Sequence, residues 1–273
     1  MADGSEAARQ DGGQELKVRP RPIVGLVIFV VYGAVVLVGA LISGYDYDEI
    51  ADTTDSIIKA IIAPIGVGVI ILLLTAHFLG WWKPVFTDEH RSARWTLAMP
   101  ILVAIAIVVG LASADWGNVD SSLVVWLLIG TLLVGVSEEV LTRGLMLTAF
   151  RGGMGEVGAW FWTSVMFGLL HSLNILEGQA VGPTIQQIVF AFAFGSVLYA
   201  SRRATGTLLV PIVLHGLWDF TSFITNLGNA DAVEKVQAAS VQTLVAEIAV
   251  IVFIVAAVKH TIFRSPGSEQ VAG

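Results

Sequence analysis

Three groups of residues in this chain have the types and spacing that acid–base chemistry needs: Glu138-Glu139 with Arg143 four positions on, Phe167 with His171, and His215 with Asp219. A carboxylate near an imidazole can take a proton from water. A second imidazole can stabilise a developing oxyanion or return a proton to a leaving group. With no cysteine in the chain, thiolate nucleophiles, thiolate zinc sites and disulfides are excluded. On a helix, Glu139 and Arg143 share a face, in the favourable order for an ion pair. Glu138 points about 100° away. Glu139 is therefore expected to be held and neutralised by Arg143, leaving Glu138 freer to carry a proton. Phe167, one turn before His171, can pack on its ring. Asp219, one turn after His215, can fix that ring's tautomer or share a ligand site with it. Asn174, three positions after His171, can add a polar contact.

The elements that position these groups are membrane helices. Of 273 residues, 55% are hydrophobic and only 14% charged, with mean hydropathy +0.79; soluble domains carry roughly 25% charged residues. The apolar residues fall in blocks of about 20, enough to cross a hydrocarbon core as helix. They lack the alternation of a barrel, the other structure that satisfies its backbone in lipid. The fold class is all-α, a polytopic membrane helical bundle of about eight transmembrane helices. The spans fall near Pro22–Ser43, Ile57–Trp81, Trp95–Ser113, Leu123–Phe150, Glu156–Ile175, Pro183–Ser201, Gly206–Ile224 and Val241–Ile262. Residues 1–20 and 265–273 read as disordered cytoplasmic tails around a transmembrane domain at 21–264, and no cleavable signal peptide is evident.

Charge placement tests the count. Lys17, Arg19, Arg21, Lys83, Arg91, Arg94, Arg151, Arg202, Arg203, Lys259 and Arg264 fall in alternate connections, and the acidic loops in the others. Positive loops stay cytoplasmic, so both termini of this integral membrane protein are expected inside. A net charge of −7 argues against a nucleic-acid partner. Charge at mid-span costs about 2.5–3.5 kcal/mol per residue on translocon scales, so Glu138, Glu139 and Arg143 must face protein or water. Counting about 1.5 Å per residue, Glu138, His171 and His215 lie roughly 18–24 Å from one set of span ends, at a common depth.

At these residues the chain resembles the CAAX-protease and bacteriocin-processing (CPBP, or Abi) family of intramembrane endopeptidases. Its motifs EExxxR, FxxxH and HxxxN/D occur in order as Glu138-Glu139-x-x-x-Arg143, Phe167-x-x-x-His171 and His215-x-x-x-Asp219. The likeness runs over about 123–225 and includes a Gly195-containing sixth span. It implies an eight-helix protease that acts on peptide or lipidated membrane-protein substrates within the bilayer. It further implies that Glu138 and His171 activate water, that His215 and Asp219 stabilise the oxyanion, and that Glu139–Arg143 holds the frame. Phe167, Asn174 and Trp218 are candidate substrate contacts. Where many relatives carry Asn, Asp219 when ionised accepts but cannot donate, so it is either protonated, an orienter of His215 or a metal ligand. The cofactor is none or zinc: Glu138, His171, His215 and Asp219 are an acceptable zinc set by type, though the contiguous HExxH pattern is absent and the metal-free reading is preferred.

Blander readings stand beside these. Glu139–Arg143 alone would serve as helix-bundle glue. His77, His90 and His260 have no partner at useful spacing. Trp218 suits packing as well as cavity lining. A proton-coupled transporter would use the same carboxylate–imidazole cluster, but the paired broken helices and inverted repeats of such carriers are missing. A non-catalytic immunity or scaffold protein on the protease fold is a third reading. The oligomeric state is left open.

Overall fold

The computed structural model describes residues 16–228 and 232–263, so most of both expected tails lies outside the described residues. Eight long helices are present among them: α1 (Pro22–Ser43), α2 (Thr54–Leu79), α3 (Arg94–Ser113), α4 (Ser121–Arg151), α5 (Glu156–Glu177), α6 (Val181–Thr205), α7 (Leu209–Gly228) and α8 (Ala232–Val258). The first six are long and apolar enough to cross a membrane; in α8 the apolar described stretch is Leu244–Val258. Helix α7 has a crossing length of 20 residues but carries the polar HxxxD motif. The outer faces are apolar, with Val27, Val30 and Ile42 on α1 and Ile70 and Leu74 on α2 all exposed. A soluble protein hides such surfaces, whereas lipid covers them.

Local chemistry fixes the ends of the elements. Pro22 begins α1 at the position where a missing N–H matters least. Asp120 caps α4 by accepting from the backbone N–H groups of Ser122 and Leu123. Two helices depart from α geometry beside the paired glutamates and His171. Helix α4 loosens into a π turn over Val140–Met146, directly after the paired glutamates. Helix α5 tightens into 3-10 geometry from His171 to Glu177. Both departures are common where a helix must re-aim side chains.

The core crossing is α4 against α7, with α5 packed on α6, α6 touching α7, and α8 lying over α3. Two glycines set the α4–α7 distance. A Cβ on Gly135 would stand 2.6 Å from the Ile212 carbonyl oxygen and 2.8 Å from the Gly216 nitrogen. One on Gly216 would stand 2.9 Å from the Leu132 Cα and the Thr131 carbonyl oxygen. Those neighbours are backbone atoms, which cannot rotate away, so the two helices touch main chain to main chain as small-residue membrane interfaces do.

One end of the bundle buries charges that the sequence places in the connections between spans. Arg202 and Arg203 are fully buried rather than solvated. Asp88, from the α2–α3 connection, meets Arg151 at 3.0 Å and Arg202 at 3.2 Å. Glu156 meets Arg151 at 2.6 Å and Arg203 at 2.9 Å and accepts from the Tyr199 hydroxyl. The physical reason is reach: long guanidinium stems at the ends of α4 and α6 fold back to carboxylates on neighbouring segments and close the bundle there. Burial alone would push the Asp88 carboxyl up. The His90 side chain and the Arg151 and Arg202 charges outweigh it and hold the carboxyl well below the usual carboxylate range.

Gly135→Ala is expected to lower the melting temperature of detergent-solubilised protein by several degrees, through an overpacking penalty of about 1–3 kcal/mol. Gly66→Ala, where nothing lies within 4 Å of the new Cβ, serves as the neutral control. Asp88→Asn is likewise expected to lower it at neutral pH. Because the folded-state Asp88 binds its proton less readily than the unfolded one, its contribution is present above about pH 4 and lost as pH falls further. The gap between wild type and Asp88→Asn should therefore be constant from pH 7 to 5 and narrow only below about pH 4.

Candidate active site

Glu139 is the hub. Its side chain is wholly buried on α4, and Oε1 accepts from Arg143 Nη1 at 2.8 Å and from His215 Nδ1 at 3.0 Å. Arg143 comes from the π turn of the same helix and His215 from α7 across the glycine crossing. Arg143 Nη1 also donates to Thr142 Oγ1 at 2.7 Å. Arg143 Nε and Nη2 have no hydrogen-bond partner, but the guanidinium carbon sits 4.1 Å from the centre of the Phe167 ring. That cation–π contact takes the place of a missing acceptor in a buried setting. Gly195 on α6 makes room for the stack, since a Cβ there would collide with Arg143 Nη2 and lie 2.8 Å from Phe167.

Phe167 then arranges both imidazoles. It meets His171 edge-on at 5.2 Å between centroids and His215 at 5.5 Å, with ring planes at 87° and 89°. His171 Nδ1 lies 3.0 Å from the Phe167 carbonyl oxygen. A carbonyl only accepts, so Nδ1 carries hydrogen and Nε2 of a neutral His171 offers its lone pair. His215 is fixed the other way round. Nδ1 donates to Glu139, and Nε2 faces Asp219 Oδ2 at 3.5 Å and Glu138 Oε2 at 3.7 Å. Both separations exceed an ordinary N–H···O bond, so the bonding capacity of Nε2 is directed to whatever enters between the carboxylates.

Glu138 differs from its neighbour as the helical geometry demands. Its side chain retains 13% exposure against 0% for Glu139, and Oε2 has no hydrogen-bond partner. Glu138, His171, His215 and Asp219 all line one cavity of about 460 Å³, within the usual range for small-molecule and peptide-group sites. Trp218, Phe190 and Phe194 form an aromatic stack on its lining, with centroids 5.0–5.7 Å apart, while α1 and α2 contribute aliphatic side chains such as Val36 and Ile65. Asn174 lines it too. Phe167 reaches it but is only 1% exposed, so its contacts are with Arg143 and the two imidazoles. All nine candidate residues named from the sequence thus fall in or directly behind a single cavity.

Residues 120–221 match the family model described as type II CAAX prenyl endopeptidase Rce1-like. That stretch is similar to the Rce1-like family over 120–221. All three motifs lie inside the matched stretch. An uncharacterized 24.3 kDa protein of Escherichia coli is 29% identical over 84 residues, which cover 31% of this chain and 36% of that relative. The chain thus aligns with about a third of the curated relative it matches.

The donor types at 138, 171, 215 and 219 suit zinc, and the Glu139 bond at Nδ1 leaves His215 Nε2 on the side of Glu138 and Asp219. Among the described residues, however, no three His, Asp or Glu side chains are grouped so as to hold a metal ion.

Several participants were not foreseen. Glu139, rather than Asp219, holds His215 Nδ1. Thr142 braces Arg143, and Phe194 lies edge-on to His215 at 6.0 Å. Tyr47 and Gln187 line the cavity. The glycines at 135, three positions before Glu138, and 216, directly after His215 inside its motif, look like ordinary membrane-helix residues and were the available signal.

Removing the hub and removing the exposed carboxylate should have different consequences. Glu139→Gln leaves a buried guanidinium without its counter-charge, a loss of about 3–5 kcal/mol, and should markedly lower the melting temperature. Glu138→Gln, with its partly exposed side chain, should leave melting within a degree or two of wild type.

Proposed function

We propose that this integral membrane protein is an endopeptidase that hydrolyses peptide bonds of membrane-associated or lipidated substrates inside the bilayer, with both termini cytoplasmic. The observation that carries the reading is Glu138: a carboxylate with a free oxygen, at the wall of a cavity, facing an imidazole that a second carboxylate holds from behind. Membrane spans do not retain such a group for packing, because a carboxylate without a hydrogen-bond partner is expensive there.

In the proposed reaction, Glu138 and the Nε2 lone pair of His171 orient a water molecule in the cavity. As the water oxygen bonds to the substrate carbonyl carbon, Glu138 takes one of its protons. The carbonyl oxygen gains charge, and His215 Nε2–H stabilises it; Glu139 favours that role because its negative charge supports a positive imidazole ring. The C–N bond then breaks, and the proton on Glu138 passes to the departing nitrogen, leaving a carboxyl and an amine. Asp219 supports His215 from its open side, so it need not donate a hydrogen bond itself. Arg143 and Phe167 hold Glu139 and the rings in place and take no part in proton transfer. The scheme is metal-free, with water held by Glu138 and His171 alone.

The test is cleavage by protein reconstituted in phosphatidylcholine vesicles, offered a panel of internally quenched apolar and lipidated peptides. Glu138→Gln should reduce turnover about a thousandfold, the scale of a lost general base, while leaving the fold intact. Treatment with 1,10-phenanthroline should leave turnover unchanged, with metal content well below one per chain. Full activity in Glu138→Gln would refute the base, and essential stoichiometric zinc would refute the metal-free form.

A further inference from the structure

Opposite in character to the charged cluster, an uncharged chain of side chains also borders the cavity. Asn174 Nδ2 donates to Gln187 Oε1 at 3.0 Å, and Gln187 Nε2 donates to the Tyr47 hydroxyl at 3.1 Å. The three residues come from the 3-10 end of α5, from α6 and from the α1–α2 connection, and all three line the cavity that holds Glu138, His171 and His215. None belongs to the three motifs.

The direction of these bonds decides what is left over. Gln187 donates to Tyr47, so the phenol oxygen is an acceptor in this chain and its own O–H is unspent. Asn174 uses its amide nitrogen, so its carbonyl oxygen is unspent. One end of the chain thus offers a donor and the other an acceptor, the two complements of a peptide group. Tyr47 keeps its proton at physiological pH. Burial pushes its phenol up and outweighs the Gln187 hydrogen bond, and the negative charges of Asp219 and Glu138 push it the same way.

Resting on the protease reading, we propose that Tyr47, Gln187 and Asn174 form a substrate-registering clamp, in which the Tyr47 O–H donates to a substrate main-chain carbonyl and Asn174 Oδ1 accepts from a main-chain N–H. The substrate then lies extended along the cavity, its side chains against the Phe190–Phe194–Trp218 wall, and the clamp sets which peptide bond meets Glu138. Recognition of this kind reads backbone rather than sequence, and so suits an enzyme that takes varied apolar segments. Tyr47 and Asn174 touch substrate; Gln187 is a positioning residue that fixes the direction of both bonds.

The test uses the best-cleaved peptide of the panel and separates a clamp from a structural staple. A hydrogen bond made alike to bound substrate and transition state appears in KM alone. Tyr47→Phe should therefore raise KM about fivefold, the scale of one such bond, with kcat within twofold. Gln187→Glu keeps an acceptor for Asn174 but turns the Tyr47 O–H toward the new carboxylate. The chain stays connected, yet its donor is lost to substrate, so KM should rise to a similar extent. The double variant should be no worse than either single one. If instead Tyr47→Phe or Gln187→Glu leaves KM unchanged while shifting only the melting temperature, the chain is a staple and the clamp is refuted. A further increase in KM in the double variant would also refute it, since a general charge effect of the new glutamate would then be acting. A wild type that cleaves no peptide of the panel overturns the protease reading and the clamp together, whereas an active wild type with unaltered variants overturns the clamp alone.

Discussion

A single buried carboxylate organises this molecule. Glu139 sits at membrane depth without solvent, where an unpaired charge would be prohibitive, and it is tolerable only because two cationic or donating partners reach the same oxygen. One partner comes from its own helix and the other from α7, so the charge cannot be satisfied unless α4 and α7 cross at close range. The glycines at 135 and 216 allow that crossing. Satisfying Glu139 thereby sets the orientation of His215, and the helical turn that buries Glu139 leaves Glu138 on the cavity side.

Phe167 extends the same constraint to α5. Its ring face takes the Arg143 guanidinium and its edges meet both imidazoles, so an apolar residue transmits the position of an ion pair to His171. At the far end of the bundle a separate network of Asp88, Glu156 and three arginines ties α4, α5 and α6 together. Two charged clusters thus fix α4 at two levels, and α4, α5, α6 and α7 all contribute to the lining of the cavity. This arrangement gives the interior polar contents while the outer faces stay apolar for lipid.

Much of this is legible in the chain itself. The Glu139–Arg143 pair follows from a spacing of four on a helix, and the divergence of Glu138 follows from the same geometry. The eight long helices follow from runs of apolar residues, with ends displaced by a few positions where caps and 3-10 turns intervene. The bond between His215 and Glu139 was not legible, because it depends on which helices touch, and a one-dimensional pattern assigns His215 to its own i+4 neighbour, Asp219. The burial of Arg202 and Arg203 was hidden for a related reason: arginine at a span end looks the same in sequence whether its stem lies in water or folds back, as Arg202 does onto Asp88 and the Pro84 and Thr87 carbonyls and Arg203 does onto Glu156. Tyr47 and Gln187 carried no signal because neutral polar residues near span ends are common and belong to no spacing rule.

The most direct measurement of the central claim is a double-mutant cycle between Glu139 and His215, using Glu139→Gln, His215→Asn and their combination, read as thermal or denaturant stability in detergent. Groups that share a buried hydrogen bond couple by about 0.5–3 kcal/mol, whereas independent ones add. The double variant should be clearly less destabilised than the sum of the single ones. Strict additivity would mean that α4 and α7 do not meet through this carboxylate, and the site as described would not exist.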